Sequence, residues 1–310
     1  MKFRLFIIWL SIIGVLVFSM VPHLLPDYWI ADNLAHFKVQ FIVISLLLLI
    51  AVIFLLRQKA PAMILLLLII CWNAYFIFPL YMGPSVEIKN EDLKLKITGI
   101  NLLSGNTGFG EVQNYISRQD PDLLVLMEFT ENWKTKLEPF LDRYEYQTLV
   151  PREDNFGIAI LSKIEINTAI EYFGLNNKPS LVGQFMLEDK PVTIIATHPV
   201  PPVGQWMFEH RNKQLANIMT YRPRYSENLI IIGDLNTSSF SAHFKQLLKG
   251  GLKDTRKGFG QLPTWPAGLK ILQTTLDHCL VSENFSVIDR NTGENIGSDH
   301  LPINVELILN

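Results

Sequence analysis

Three stretches almost free of formal charge, Leu5–Pro26, Val39–Leu56 and Ala60–Val86, follow one another at the start of the chain. A bilayer core about 30 Å thick is crossed by about 20 apolar residues of helix. The first and third stretches exceed that length, and the second reaches it with Phe37 and a snorkelling Lys38. One such stretch alone fits a buried helix of a soluble protein. Three in succession, separated by short polar breaks, point to three transmembrane helices, at about 5–25, 37–56 and 61–82. The first also fits a cleaved signal peptide, because Lys2 and Arg4 precede its apolar run. No small-x-small cleavage site is evident after it, so an uncleaved anchor is expected.

Charge in the short loops sets an expected orientation. Lys2 and Arg4 precede the first span, and Arg57 and Lys59 separate the second from the third. The loop between the first two carries Lys38 against Asp27 and Asp32. Positive charge stays cytoplasmic. The N-terminus is therefore expected inside and the remainder on the periplasmic or extracytoplasmic side of a bacterial inner or plasma membrane.

The remainder has a different composition. Residues 1–82 hold five Lys or Arg and two acids, and residues 83–310 hold 22 and 27. The latter balance excludes a strongly basic nucleic-acid coat, and the apolar content excludes intrinsic disorder. Two cysteines, Cys71 and Cys279, exclude a disulfide scaffold or a cysteine-built zinc site. Residues 83–93 are expected as a linker and 94–310 as one folded domain.

In that domain, short apolar or β-branched runs bounded by Gly, Pro, Asn or Asp predict strands at Leu93–Leu103, Leu123–Met127, Gly157–Leu161, Val192–Thr197, Leu229–Ile232, Leu276–Val281 and Ile303–Leu309. Phe109, Val112 and Ile116 recur with helical period before Asp120-Pro121, and Met207–Tyr221 and Ser241–Lys249 read as two further helices. Mixed strands and helices of this extent predict an α/β sandwich.

The informative pattern lies at the strand ends. Asn101, Glu128, His198, Asp234 with Asn236, Asp277, and Asp299-His300 each stand at or beside the end of an apolar run. One polar residue in such a place is usually a turn or a cap, the reading given to Asp254, Asn176 and Asn291. Burial of carboxylates is costly unless they are paired or bind a metal, and strand ends of a sheet share one rim where ligands collect. Pooled there, Glu128 and Asp299 offer hard oxygen ligands, and Asn101 and Asn236 offer amides. That set suits Mg²⁺ or Mn²⁺ better than zinc. His198 and His300 suit a base, an acid or an oxyanion partner. Attack of water on a phosphoester is the chemistry such a rim serves.

In order and spacing these residues resemble the endonuclease/exonuclease/phosphatase superfamily, with a deoxyribonuclease-I-like fold, in a membrane-anchored branch. The resemblance runs over roughly residues 94–309 and rests on the strand-end Asn101 and Glu128, His198, Gly233-Asp234-Leu235-Asn236, Leu276-Asp277-His278 and Ser298-Asp299-His300. It implies a four-layer α/β sandwich of two packed sheets flanked by helices. It also implies roles: Glu128, Asn101 and Asp299 around the metal, and Asp234 positioning or deprotonating water. Asn236 and His198 would sit on phosphate oxygens, and His300, oriented by Asp277, would act as base or donor. Which of Asp234 and His300 takes the proton stays open. Arg211, which follows the His198-Pro199-Val200-Pro201-Pro202 turn, is a further phosphate ligand by the same resemblance, against the alternative of an exposed helix charge. His278, next to Asp277 on a strand, is expected to point to the opposite face.

The expected activity is that of a membrane-anchored, divalent-metal-dependent phosphoesterase whose substrate is nucleic acid, a lipid or another small phosphoester. A non-catalytic receptor or scaffold retaining the fold is the alternative. A histidine-built zinc hydrolase would need closely paired histidines such as His-x-x-x-His, which the chain lacks.

Overall fold

The computed structural model describes residues 2–83, 93–175 and 177–310. Asn176 and most of the expected linker, 84–92, lie outside the described residues.

The apolar stretches fold as α1 (Lys2–Leu24), α3 (Lys38–Leu55) and α4 (Ala60–Ile77), with a short helix, α2 (Trp29–Leu34), between the first two. The segments Phe3–Leu24, Trp29–Leu55 and Ala60–Tyr81 are long and apolar enough to cross a membrane. They pack on one another through Ile12, Phe41, Val52, Leu66 and Ile69. Many other large side chains, such as Leu10, Leu47, Phe54 and Leu68, face outward uncovered. A helix that is apolar all round suits lipid on its outer face.

The rest builds two six-stranded sheets. The first contains β1 (Lys94–Asn101), β2 (Leu123–Met127), β3 (Tyr146–Val150), β4 (Ile158–Ser162), β11 (Phe285–Thr292) and β12 (Ile303–Leu309), in the order β11-β12-β1-β2-β4-β3. The second contains β5 (Ile166–Glu171), β6 (Ser180–Leu187), β7 (Lys190–Ala196), β8 (Asn228–Asp234), β9 (Leu252–Asp254) and β10 (Asp277–Ser282), in the order β5-β6-β7-β8-β10-β9. β1–β2 and β7–β8 are parallel pairs, and every other pair is antiparallel.

Side chains alternate across a strand, and both faces of the central strands are covered. Ile97, Leu123, Val125 and Ile160 meet Ile194, Ile230, Ile232 and Cys279 between the sheets. On the outer face of the first sheet, Ile100, Leu124 and Leu126 meet Val112 and Ile116 of α5 (Phe109–Gln119) and Trp133 and Leu137 of α6 (Glu131–Leu141). On the second, Ile195, Ile231 and Leu280 meet Leu215 and Ile218 of α7 (Gln205–Thr220) and Phe244 and Leu247 of α8 (Ala242–Lys249). This explains why Leu123-Leu124-Val125-Leu126-Met127 reads as an unbroken apolar run: all five side chains are buried. Each fully buried Leu, Ile or Val contributes about 1.5–3 kcal/mol.

The four layers are those expected. α6 was not foreseen, although Thr130 caps it by accepting from the Trp133 amide and Trp133, Leu137 and Leu141 share its buried face. Pro139 interrupts its pattern. The unforeseen strands are β3, β5, β6, β9 and β11, and all but β6 are sheet edges. Asp254 is more than a turn residue, because its carboxylate is buried against the Arg256 guanidinium at 2.6 Å. Asn291 lies within β11 and accepts from Asn304.

The helical bundle and the sandwich are in direct contact. The Leu80 carbonyl accepts from the amides of Gly258 and Gly260, at 2.8 and 2.9 Å. Ala35, Ile77 and Leu80 share an apolar cluster with Phe240.

Candidate active site

Register brings the polar residues together. In the parallel pair β1–β2, Asn101 faces Met127, so Glu128 follows immediately beside it. In the antiparallel pair β8–β10, Asp234 faces Asp277. The Thr197 amide donates to the Ile232 carbonyl beyond the end of β7, which sets His198 next to Asp234. Ser298 donates from Oγ to the Asn101 carbonyl and accepts from the His300 amide, holding His300 against the same end. The two sheets therefore contribute to one group of buried side chains.

Asp234 is its hub. Its Oδ2 lies 3.3 Å from Asn101 Nδ2, 3.5 Å from His198 Nε2 and 3.6 Å from His300 Nε2. Its Oδ1 accepts from the Asn236 amide at 2.9 Å. On the far side of the ring, His300 Nδ1 donates to Asp277 Oδ2 at 2.8 Å. Glu128 accepts from Asn101 Nδ2 at 3.2 Å and from the Ser104 amide at 3.0 Å.

Backbone geometry serves this arrangement. Gly233 has φ +151°, and a Cβ there would lie 1.9 Å from the Thr197 carbonyl oxygen, so only glycine fits. Glu128 and Asn236 adopt left-handed backbone at φ 54° and 50°. Asn tolerates this region readily, whereas for Glu it is strained. Such strain is concentrated where structure around a functional group over-determines it.

Burial alone would lower the pKa of His300. The facing carboxylates of Asp277 and Asp234 outweigh it and hold the imidazole up at about 10. Burial would raise Asp234, but His300 and His198 bring it down to about 2. His198 is opposed by burial and raised by Asp234 and Glu128. At neutral pH the core of the site is a carboxylate faced by an imidazolium.

The donors fit a divalent cation. Asp234, Asp277 and His300 offer ligand atoms within 4.8 Å of one another, a set that could hold an ion only with the His300 ring deprotonated. The His300–Asp277 hydrogen bond occupies one ring nitrogen of that group. Asp299 accepts from Trp265 Nε1 at 3.1 Å through Oδ2, while its buried Oδ1 has no partner among the described residues. A carboxylate oxygen left so is one a cation would satisfy. Asn101 lies beside Glu128 as expected, yet its Oδ1 accepts from the Leu103 amide and its Nδ2 faces the carboxylates. In this arrangement it bridges Glu128 and Asp234 rather than presenting an oxygen.

Two further residues fall elsewhere. Arg211, expected on a phosphate, is fully buried behind the site. Its guanidinium donates to the Asn236 carbonyl and the Asn212 side chain and is 2.8 Å from Asp32, in the connection between α1 and α3. Its donors are consumed by the protein, so it braces Asn236 instead of meeting solvent. His278 points to the opposite face, as expected, onto Phe244 and the Thr237 carbonyl. Sequence reasoning missed Trp265, Thr264 and Met127, whose Sδ accepts from the Asp234 amide. Each acts through a fold contact that has no spacing signature.

The Endonuclease/Exonuclease/phosphatase family matches residues 98–300, well over half of the chain. The protein belongs to this family. Members of the family act on phosphoesters with a divalent metal. No curated protein matches the sequence. Among solved structures, D. rerio TDP2 complexed with single strand DNA product is similar at 17% identity and TM-score 0.60, over 70% of this chain and 99% of that one. The human Nocturnin catalytic domain with bound sulfate anion is similar at 18% identity and TM-score 0.57, over 71% and 96%. An endonuclease/exonuclease/phosphatase family protein from Leptotrichia buccalis is similar at 17% identity and TM-score 0.56, over 69% and 99%. At these identities the likeness is one of fold.

Proposed function

We propose that the protein is a membrane-anchored phosphoesterase that hydrolyses its substrate with Mg²⁺ or Mn²⁺. The observation that carries this reading is the convergence of Asn101, His198 and His300 on one carboxylate oxygen of Asp234, with Glu128 alongside. Residues 1–82 are the anchor and residues 94–310 the catalytic domain. The loop charges favour a cytoplasmic N-terminus and a catalytic domain on the opposite side.

Glu128 and Asp299 would hold the cation, whose bound charge would neutralise phosphoryl oxygens. Asp234, ionised at neutral pH, orients the attacking water and takes its proton. Of the two candidate bases this reading takes Asp234, because the facing carboxylates of Asp277 and Asp234 favour a protonated His300 ring that can hydrogen-bond to the phosphoryl oxygens. His300 therefore donates to the phosphoryl group as negative charge develops, with Asp277 fixing its ring. His198 completes the donors together with the second N–H of Asn236 Nδ2, whose first donates to the Pro199 carbonyl at 3.0 Å. A non-catalytic receptor would have no need for this charge-paired group, whose burial is costly.

The experiment is hydrolysis by the purified full-length protein of a panel of aryl phosphomonoesters and phosphodiesters, single- and double-stranded DNA, RNA and phospholipids. Turnover of at least one, dependent on Mg²⁺ or Mn²⁺ and abolished by chelator, is expected. No turnover of any member would reject the reading in favour of a binding role.

A further inference from the structure

Two loops at the rim of the site are tied to the outer ends of the apolar helices. The first, residues 255–276, joins β9 to β10. Its base holds the site: Thr264 Oγ1 accepts from the Asp277 amide at 3.2 Å, Trp265 donates to the Asp299 carboxylate, and the Ala267 amide donates to the Asp299 carbonyl at 2.7 Å. Its tip lies on the first turn of α3. Gln40 Nε2 donates to the carbonyls of Ile271 and Gln273, at 3.2 and 3.0 Å, and Thr274 Oγ1 donates to the His36 carbonyl. At that tip Leu269, Ile271 and Leu272 are uncovered, and Ile271 is 71% exposed.

The second loop runs from His198 to the start of α7. Asn33 Nδ2 donates to the Pro202 carbonyl at 3.1 Å. Gln205 accepts from the Trp29 amide and donates to the Asp27 carbonyl. Here Val203 and Trp206 are 70% and 63% exposed. Gln40 lies in the first turn of α3, within a segment long and apolar enough to cross the bilayer. Apolar side chains left bare beside that turn suit a bilayer interface better than water. Lys270, exposed between Leu269 and Ile271, is suited to lipid phosphates at the same level.

Resting on the proposed phosphoesterase function, we infer that the substrate is a phosphoester carried on a lipid of the same bilayer. A site whose rim loops are fastened to the membrane helices, and tipped with apolar side chains, opens beside the lipid headgroups. A nucleic-acid duplex would call for a basic rim, since phosphate contacts dominate its affinity, and residues 83–310 carry more acids than bases. For a headgroup diester, the water oxygen bonds to phosphorus and one ester P–O bond breaks. The proton removed from water ends on the departing alkoxide, leaving a phosphate monoester and an alcohol.

The test uses full-length protein in phosphatidylcholine nanodiscs with Mg²⁺ or Mn²⁺. The probes are phosphatidylglycerol or phosphatidylinositol phosphate in the disc, and bis(p-nitrophenyl) phosphate, p-nitrophenyl phosphate and single-stranded DNA in solution. A lipid probe is expected to be hydrolysed. Ile271→Asp with Leu272→Asp is expected to slow that reaction at least tenfold while leaving any turnover of a soluble aryl ester within twofold. Turnover of soluble esters or DNA with none of either lipid overturns the inference and leaves the proposed function standing. No turnover of any probe overturns both. Equal loss on lipid and soluble probes assigns the loop a structural role and overturns the inference. Independently of activity, a spin label at Ile271→Cys, in a Cys71→Ser background, is expected to be reached by oxygen in the bilayer and shielded from a water-soluble nickel chelate. A water-exposed label overturns the inference as well.

Discussion

Asp32 Oδ2 and Arg211 Nη2 are 2.8 Å apart, and both residues are sealed from solvent, one from the connection between two apolar helices and the other from the helix that follows the His198 loop. Ser241 donates to the other Asp32 oxygen, and Arg211 donates to the Asn236 carbonyl. The connection between α1 and α3 therefore reaches the Gly233-Asp234-Leu235-Asn236 turn through a buried ion pair.

Removing one partner strands a buried charge, which costs about 3–5 kcal/mol. Asp32→Ala and Arg211→Ala are each expected to destabilise the full-length protein by that order in denaturant unfolding. The double variant should lose less than the two singles together, because neither charge is then left alone. Additive losses would show that the pair is not coupled.

The pKa of His300, raised to about 10, gives a signed pH dependence. Below its unfolded value of about 6.5 the imidazole is protonated folded and unfolded, and its pairing stabilises fully. That stability is lost as pH rises through the folded value. In chelator, the urea midpoint should fall between pH 7 and 10, and His300→Gln should flatten the fall. The Asp234 pKa, lowered to about 2, acts in the opposite window: its contribution is present above about 4 and lost as pH drops towards 2.

Cation binding should be visible without turnover. Anything that binds the folded state alone raises stability, so Mg²⁺ or Mn²⁺ is expected to raise the Tm of the full-length protein. Glu128→Gln and Asp299→Asn should shrink the rise. An unchanged rise in both would place the cation elsewhere.

Much of this was legible in the sequence because central strands and their ends are over-determined. β2 and β8 are buried on both faces, so their apolar runs stand out, and the residue after such a run must sit at the rim. Edge strands such as β3 and β5 are half-exposed and carry no such run. Arg211 was misjudged because a guanidinium near the rim suits either a phosphate or a carboxylate, and its carboxylate, Asp32, is 179 positions away. The Trp265 contact was unreadable because a loop sets it, not periodicity.

The donor role proposed for His300 can be tested at Asp277. Asp277→Asn leaves the ring of His300 in place but removes the charge that sustains its proton. That variant is expected to lose activity mainly through kcat and to shift the alkaline limb of the rate profile downward. A profile identical to wild type would remove Asp277 from the mechanism.

The most direct measurement is the rate of metal-dependent phosphoester hydrolysis by full-length wild type, Asp234→Asn and His300→Gln, on the best substrate of the panel. Each substitution is expected to reduce kcat by about 100-fold or more, with the fold and the Tm rise on metal addition retained. Wild-type rates in both variants would contradict the roles proposed for Asp234 and His300.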